Sequence, residues 1–163
     1  MYVLDSNVFI QAHQKHYGLD FVPAFWDWVE SANRSGAVIS VDKVLEELTR
    51  QTDALATWAK QHKTLFAKID SVTQLSLSTI SAWVAQNYQP GAIQEFFGSA
   101  DYVLVAFAEA HRCTVVTHEM PEDPKKTKKK VKIPDACRAF SVPYMDPFAM
   151  LRQEKARFVL PSP

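Results

Sequence analysis

The 163-residue sequence predicts an α/β fold: a central parallel sheet with helices on both faces. Three observations point there. Short apolar runs at 2–5, 37–40 and 114–119 alternate with longer stretches of helical periodicity. The runs are continuously apolar rather than alternating, as strands buried on both faces are. Acidic residues fall at or just beyond the ends of these runs, at the edge where parallel sheets build their sites. The length and an apolar fraction of 47% suit one domain over 1–163 with a substantial core, and neither a linker nor an internal repeat divides it.

The elements follow in order. Residues 2–5, YVLD, form the first strand. Nothing precedes it to turn against, so it takes a central place in the sheet. Residues 23–34 are helical: Pro23 suits the first turn, Phe25, Trp26, Val29 and Ala32 recur at helical spacing, and Gly36 ends the segment. AVIS, 37–40, is the second strand. Residues 41–51 form a helix with Asp42 as N-cap and Val44, Leu45 and Leu48 as its apolar face. Leu55, Trp58, Ala59, Leu65 and Phe66 fit a helix over 54–68, and residues 78–88 fit another that starts at a Ser or Thr cap. Pro90 and Gly91 break the chain. Residues 92–112 hold a short helix, a pause at Gly98 and Ser99, and a longer helix from 100. TVVTHE, 114–119, is the third clear strand. Residues 120–132 are a Pro- and Lys-rich loop, 142–146 is a last edge strand, and the tail after Leu151 is loosely held.

Composition narrows the partners. The formal net charge is zero, so no global field favours nucleic acid. The charge is uneven, however. Lys125, Lys126, Lys128, Lys129, Lys130 and Lys132 are six of the 18 basic residues, which leaves the rest of the chain net acidic. Cys113 and Cys137 sit in no CxxC or Cys/His spacing, which argues for two reduced thiols and against structural zinc. Asp5 interrupts the N-terminus before an apolar signal-peptide core forms, and no run of about 18 apolar residues exists. These features predict a soluble cytoplasmic protein that does not enter a membrane.

The acids carry the functional signal. Asp5 ends the first strand, Glu46 and Glu47 lie on the helix after the second, Asp101 opens the long helix before the third, and Glu119 lies just past the third. In a parallel sheet these positions share one edge. Each has a bland reading: a turn or cap residue for Asp5, solvated helix charges for Glu46 and Glu47, a dipole-favoured first turn for Asp101, and a loop acid for Glu119. Four such coincidences weigh less than one cluster. Clustered carboxylates repel unless a cation sits among them. Hard oxygen donors with few histidines favour Mg²⁺ or Mn²⁺ over zinc. The implied chemistry is phosphodiester hydrolysis by a metal-activated water.

The order of motifs resembles the PIN-domain ribonucleases, the family of the VapC toxins of bacterial toxin–antitoxin pairs. VLDSNVFI is similar to the opening LDTN-type motif, with Ser6 where Thr is commoner. VLEEL is similar to the xxEL helix and assigns the family acid to Glu47. SADYVLVAFA supplies Asp101, and TVVTHE supplies Thr117 and Glu119. YGLDFVPAFWDWV and KIPDAC further resemble an uncharacterised prokaryotic PIN-like subfamily. The resemblance implies a PIN-like three-layer α/β/α sandwich with a four- to five-stranded parallel sheet. It also implies Mg²⁺- or Mn²⁺-dependent RNA cleavage, frequent homodimers and inhibition by a cognate antitoxin. Two departures stand out: Glu119 replaces the commoner Asp or Asn, and the loop from 120 to 133 is long for a small toxin.

Roles follow. Asp5 and Asp101 are the first and second choices for direct metal ligands. Glu47 binds the metal through water or orients the attacking water, and Glu119 lies in the outer shell or at a second metal. Asn7 hydrogen-bonds Asp5 or forms a local Asx turn. Thr117 touches a phosphate or caps the next turn. Asp135, in KIPDAC, approaches the same edge or, as the favoured reading, caps a helix containing Cys137. The six lysines follow the strand that carries Thr117 and Glu119, which favours phosphate contact over a merely solvated loop. Trp26, Trp58 and Trp83 read as core, while Trp28 is the one for an exposed or interface position. His118 is a candidate for substrate contact.

The leading function is therefore a metal-dependent endoribonuclease, the toxin of a toxin–antitoxin pair. The alternatives are a catalytically inactive PIN-like module that binds RNA or protein, and a nuclease directed at DNA. A phospho-acceptor receiver domain also places acids at strand ends, but it needs an acid pair beside strand one and an acceptor Asp after a central strand, an order this chain lacks.

Overall fold

A computed structural model describes residues 1–121 and 128–159. Five short strands form one fully parallel sheet: β1 (Tyr2–Leu4), β2 (Val38–Val41), β3 (Phe66–Ala67), β4 (Thr114–Val116) and β5 (Tyr144–Met145), in the order β3-β2-β1-β4-β5. β1 is central, as its uninterrupted apolar run requires. Consecutive side chains on a strand point to opposite faces. Val3 and Leu4 are both buried, as are Val115 and Val116, so helices cover both faces of the sheet.

Nine α-helices are present among the described residues: α1 (Ser6–Gln11), α2 (Pro23–Arg34), α3 (Asp42–Leu48), α4 (Ala54–Gln61), α5 (Ser71–Asn87), α6 (Pro90–Gly98), α7 (Ala100–His111), α8 (Ile133–Ala139) and α9 (Pro147–Gln153). α7 packs against β1, β2 and β4 and is flanked by α5, α6 and α8. Ala100 and Val103 to Ala108 are all buried, the signature of a helix enclosed on every side. Cys113 and Cys137 are buried free thiols. No helix among the described residues is long and apolar enough to cross a membrane.

Helix ends follow backbone rules. α2 closes with Gly36 at a φ of +76°, with Gly36 N–H bonded to Asn33 O and Ala37 N–H to Ala32 O. α7, α8 and α9 end with the same bond pattern but put Arg112, Ser141 and Lys155 at the left-handed position, with φ of 53°, 56° and 53°. α1 runs on into a π-helical turn, Ala12–His16, sealed by Tyr17 N–H to Ala12 O at 2.6 Å.

Several expectations are corrected. SNVFIQ is the unforeseen helix α1. The helix expected over 54–68 stops at Gln61, and a 3₁₀ turn, Lys63–Leu65, leads into the two-residue strand β3. α5 begins at Ser71 rather than 78, because Asp70 caps it by accepting from Thr73 N and Oγ1. Pro90 starts α6 instead of merely breaking the chain. Asp42 is the first residue of α3, and Val41 holds the cap position. Asp135 likewise lies inside the first turn of α8, with Lys132 at the cap. Asp146 caps α9, with Met150 and Leu151 buried, and within the described part of the tail after Leu151, Ala156 and Phe158 pack on the core; residues 160–163 lie outside the described residues. Trp28 is half-buried against the core, as is Trp83, while Trp26 and Trp58 are buried within it.

Candidate active site

The strand order fixes where a site forms. From β1 the chain builds β2 and β3 on one side and then crosses to β4 and β5 on the other. The crevice beyond the C-terminal ends of β1 and β4 is the switch point of the sheet. Asp5 leaves β1 there and Thr117 leaves β4.

Asp5 occupies the cap position of α1, yet its side chain makes no cap bond. It is 2% exposed and turns toward β4. Its Oδ2 accepts from Thr117 Oγ1 at 2.8 Å and its Oδ1 from Ser6 Oγ at 3.3 Å. Thr117 Oγ1 in turn accepts from Asn7 Nδ2 at 3.1 Å and from Glu119 N–H at 3.0 Å. Asn7 Oδ1 accepts from His118 N–H at 3.0 Å. Asn7 therefore orients Asp5 through Thr117 rather than by direct contact, and it forms a strap between α1 and the end of β4 rather than a local turn.

Glu47 and Glu119 share a design that spacing alone did not reveal. Neither α7 nor α8 has a side-chain cap from its own cap residue. Glu47 Oε1 accepts from Ala100 N–H, the first residue of α7, at 2.9 Å. Glu119 Oε2 accepts from Ile133 N–H, the first residue of α8, at 2.9 Å, and its Oε1 meets Lys132 Nζ at 3.2 Å. Each glutamate thus satisfies an orphan amide of a helix supplied from elsewhere in the chain. Glu47 in this way anchors the helix that carries Asp101 at its second position. Glu46 instead faces outward and pairs with Lys43.

The four acids feel one another. Burial is the main cause that pushes the Asp5 carboxyl up to about 6; the Thr117 hydrogen bond opposes the rise, and Glu119 and Glu47 add to it. Burial first, then Asp5, Glu119 and Glu47, push Asp101 up to about 8, against a weaker downward pull from Lys130. As placed, no group of three or more His, Cys, Asp or Glu among the described residues could by itself hold a metal ion.

Of the lysine run, Lys125 and Lys126 lie outside the described residues. Lys128, Lys129 and Lys130 are exposed, and Lys130 Nζ lies 3.4 Å from Glu95 of α6. Lys128 O accepts from Gln89 N–H, which ties the segment to the start of α6. Lys132 is engaged by Glu119. The His118 ring turns from the acids toward His16 and Phe148, with ring centres 6.2 and 6.0 Å away.

Residues 2–158 match the family model described as "Domain of unknown function (DUF4411)". The chain belongs to that family. No curated protein matches it. Among solved structures, this DUF4411 domain is similar to a chain in the crystal structure of VapBC2 from Rickettsia felis bound to a DNA fragment from their promoter. The TM-score is 0.55 at 14% identity, over 89% of this chain and 97% of that one. The DUF4411 chain thus has the PIN-like α/β/α fold that its motifs imply, with the five parallel strands described above.

Proposed function

We propose that this DUF4411 protein is a Mg²⁺- or Mn²⁺-dependent endoribonuclease. The observation that carries the reading is the buried Asp5 carboxylate at the switch point, hydrogen-bonded by Thr117 and in the field of Glu47, Asp101 and Glu119. Glu47 and Glu119 also cap helices, but the pKa values of Asp5 and Asp101 are held up by burial and by the neighbouring negative charges, and a bound cation removes that cost. Hard carboxylate oxygens of Asp5 and Asp101 suit a metal held by one or two carboxylates and completed by water and phosphate, the habit of Mg²⁺. When bound, the ion lowers the pKa of a water and neutralises the leaving oxygen.

Asp5 and Asp101 hold the metal. Thr117 and Asn7 fix the Asp5 carboxylate in one orientation. Glu47 positions Asp101 through the first amide of α7 and orients the attacking water with its carboxylate. Glu119 serves in the outer shell while tethering Lys132. Asp135, in the first turn of α8, lies on the helix that Glu119 tethers. Lys128, Lys129 and Lys130, with Lys125 and Lys126, supply phosphate contacts. The likeness to a chain of VapBC2 supports the toxin of a toxin–antitoxin pair, with a cognate antitoxin as protein partner.

The test is cleavage of a mixed RNA pool by wild type, Asp5→Ala and Asp101→Ala, each checked for folding, with Mg²⁺ or Mn²⁺ and after chelation. Metal-dependent cutting that is lost in both folded variants is the expected result. Cutting of DNA alone, or cutting that survives chelation or either substitution, overturns it.

A further inference from the structure

A second site lies beside the acidic edge, and nothing in the acid-based reading uses it. A cleft of about 460 Å³ opens where α9 and the segment after it cross the π-helical turn. Its walls include three aromatic residues, Tyr17, Phe148 and Phe158, and three cations, Arg152, Lys155 and Arg157. All three cations are exposed, and among the described residues none of them pairs with an acid. Lys132, in contrast, is already engaged by Glu119.

The aromatics are fixed in place. Tyr17 stacks on buried Phe25 with ring centres 4.5 Å apart, its carbonyl accepts from Trp26 Nε1 at 2.7 Å, and its own N–H seals the π-turn. Phe158 lies 5.5 Å from the Tyr17 ring. Phe148 reaches His118, and the residue before His118 is the Thr117 that binds Asp5. The cleft is thus linked to the acidic edge by two side chains.

Lys155 is placed by the end of α9, in the same way as Arg112 ends α7 and Ser141 follows α8. It sits at the left-handed position after α9, where Ala156 N–H bonds to Leu151 O and Lys155 N–H to Arg152 O. Glycine is the residue that backbone sterics favour there. A lysine at that position costs stability and supplies a cation to the cleft.

We propose that this cleft is a nucleotide subsite: Tyr17, Phe148 and Phe158 receive an unpaired base of the RNA strand while Arg152, Lys155 and Arg157 hold its flanking phosphates. Base stacking on aromatics and cations tracking the backbone are the two components of single-strand binding. The proposal rests on the ribonuclease reading for the identity of the strand, and it makes the cleft the place where the substrate is gripped before it reaches Asp5.

The test is fluorescence anisotropy of a labelled single-stranded oligouridylate hexamer, in EDTA to prevent cutting, against the full chain. Arg152→Glu/Arg157→Glu is expected to weaken binding at least tenfold and to reduce the slope of log K against log salt by about 1.4, the value for two single-strand phosphates. Lys155→Gly is expected to weaken binding several-fold while melting at or above the wild-type temperature, so its loss cannot be ascribed to unfolding. A hexamer with abasic residues is expected to bind more weakly to wild type and equally to the cleft variants. Variants that bind the hexamer as wild type does overturn the subsite, while the Asp5 and Asp101 cleavage assay judges the nuclease reading separately. Equal affinity of wild type for the abasic and intact hexamers overturns the base-binding role. Polyglutamate binding that depends on the three cations and that RNA fails to displace also overturns it, and assigns the cleft to an acidic protein.

Discussion

Thr117 Oγ1 donates its single proton to Asp5 Oδ2 at 2.8 Å and accepts from Asn7 Nδ2 and Glu119 N–H. One donor and two lone pairs are all that a hydroxyl has, so this group is saturated. It joins the two strand ends that flank the crevice. Thr117→Val leaves a buried carboxylate short of a donor and two donors short of an acceptor. The expected cost is about 1–3 kcal/mol in denaturant unfolding, and Thr117→Ser recovers most of it.

The raised acids set a pH dependence. Asp5 and Asp101 stand at about 6 and about 8 in the folded chain, above their ordinary value of 3.8. Between those limits the folded state binds more protons than the unfolded state, so stability falls as pH rises. Metal-free protein is expected to unfold at lower urea at pH 8 than at pH 5 as far as these two groups decide it, and Asp101→Asn is expected to flatten the trend. Millimolar Mg²⁺ should stabilise more at pH 8 than at pH 5. Equal stabilisation at both pH values removes the acids as the metal site.

The role proposed for Glu47 in cleavage is separable from its capping of Ala100. Glu47→Gln keeps an acceptor for Ala100 N–H and removes the charge, so stability is expected to stay within about 0.5 kcal/mol while cleavage falls roughly 10–100-fold. Glu47→Ala also loses the cap, at an expected further cost of about 1 kcal/mol. Paired unfolding curves and single-turnover rates separate the two; a Gln variant with full activity assigns Glu47 to capping alone.

Arg112 ends α7 in the left-handed region without glycine's freedom. Arg112→Gly is expected to stabilise the fold by about 0.5–1 kcal/mol, and Gly36→Ala to destabilise it by a similar amount. Thermal unfolding of both variants checks the sign.

The sequence was most legible where a side chain's neighbours are local. α2 begins at Pro23 and is closed just beyond Arg34 by Gly36, and the break at Gly98 and Ser99 separates α6 from α7, as spacing predicted. The strand ends that carry Asp5 and Thr117 were visible as apolar runs meeting polar residues. Elements whose meaning is non-local were harder. β3 is two residues paired with β2, and Phe66 fits helical spacing equally well until Ser40 lies beside it. The start of α9 was readable after all: Asp146 followed by Pro147 is a cap and a first-turn proline.

At the site, residue types showed which acids to consider but not what holds them. The cap that Glu47 gives Ala100 spans 53 positions, and no periodicity encodes it. The strap from Asn7 to His118 spans 111. The cleft beside α9 was missed because Tyr17 and Phe158 come from opposite ends of the chain and meet only in the fold.

The central place of β1 has a consequence for biogenesis. β1 is made before the other four strands, and its two neighbours follow far apart: β2 starts at residue 38 and β4 at residue 114. Asp5 must wait for Thr117, 112 residues later. At a synthesis rate of about 5–20 residues per second, that wait is roughly 6–22 s. A nascent or truncated chain that ends before β4 carries Asp5, Glu47 and Asp101 but not the hydroxyl that orients the first of them. The acidic edge is therefore assembled only once β4 and Thr117 have been made.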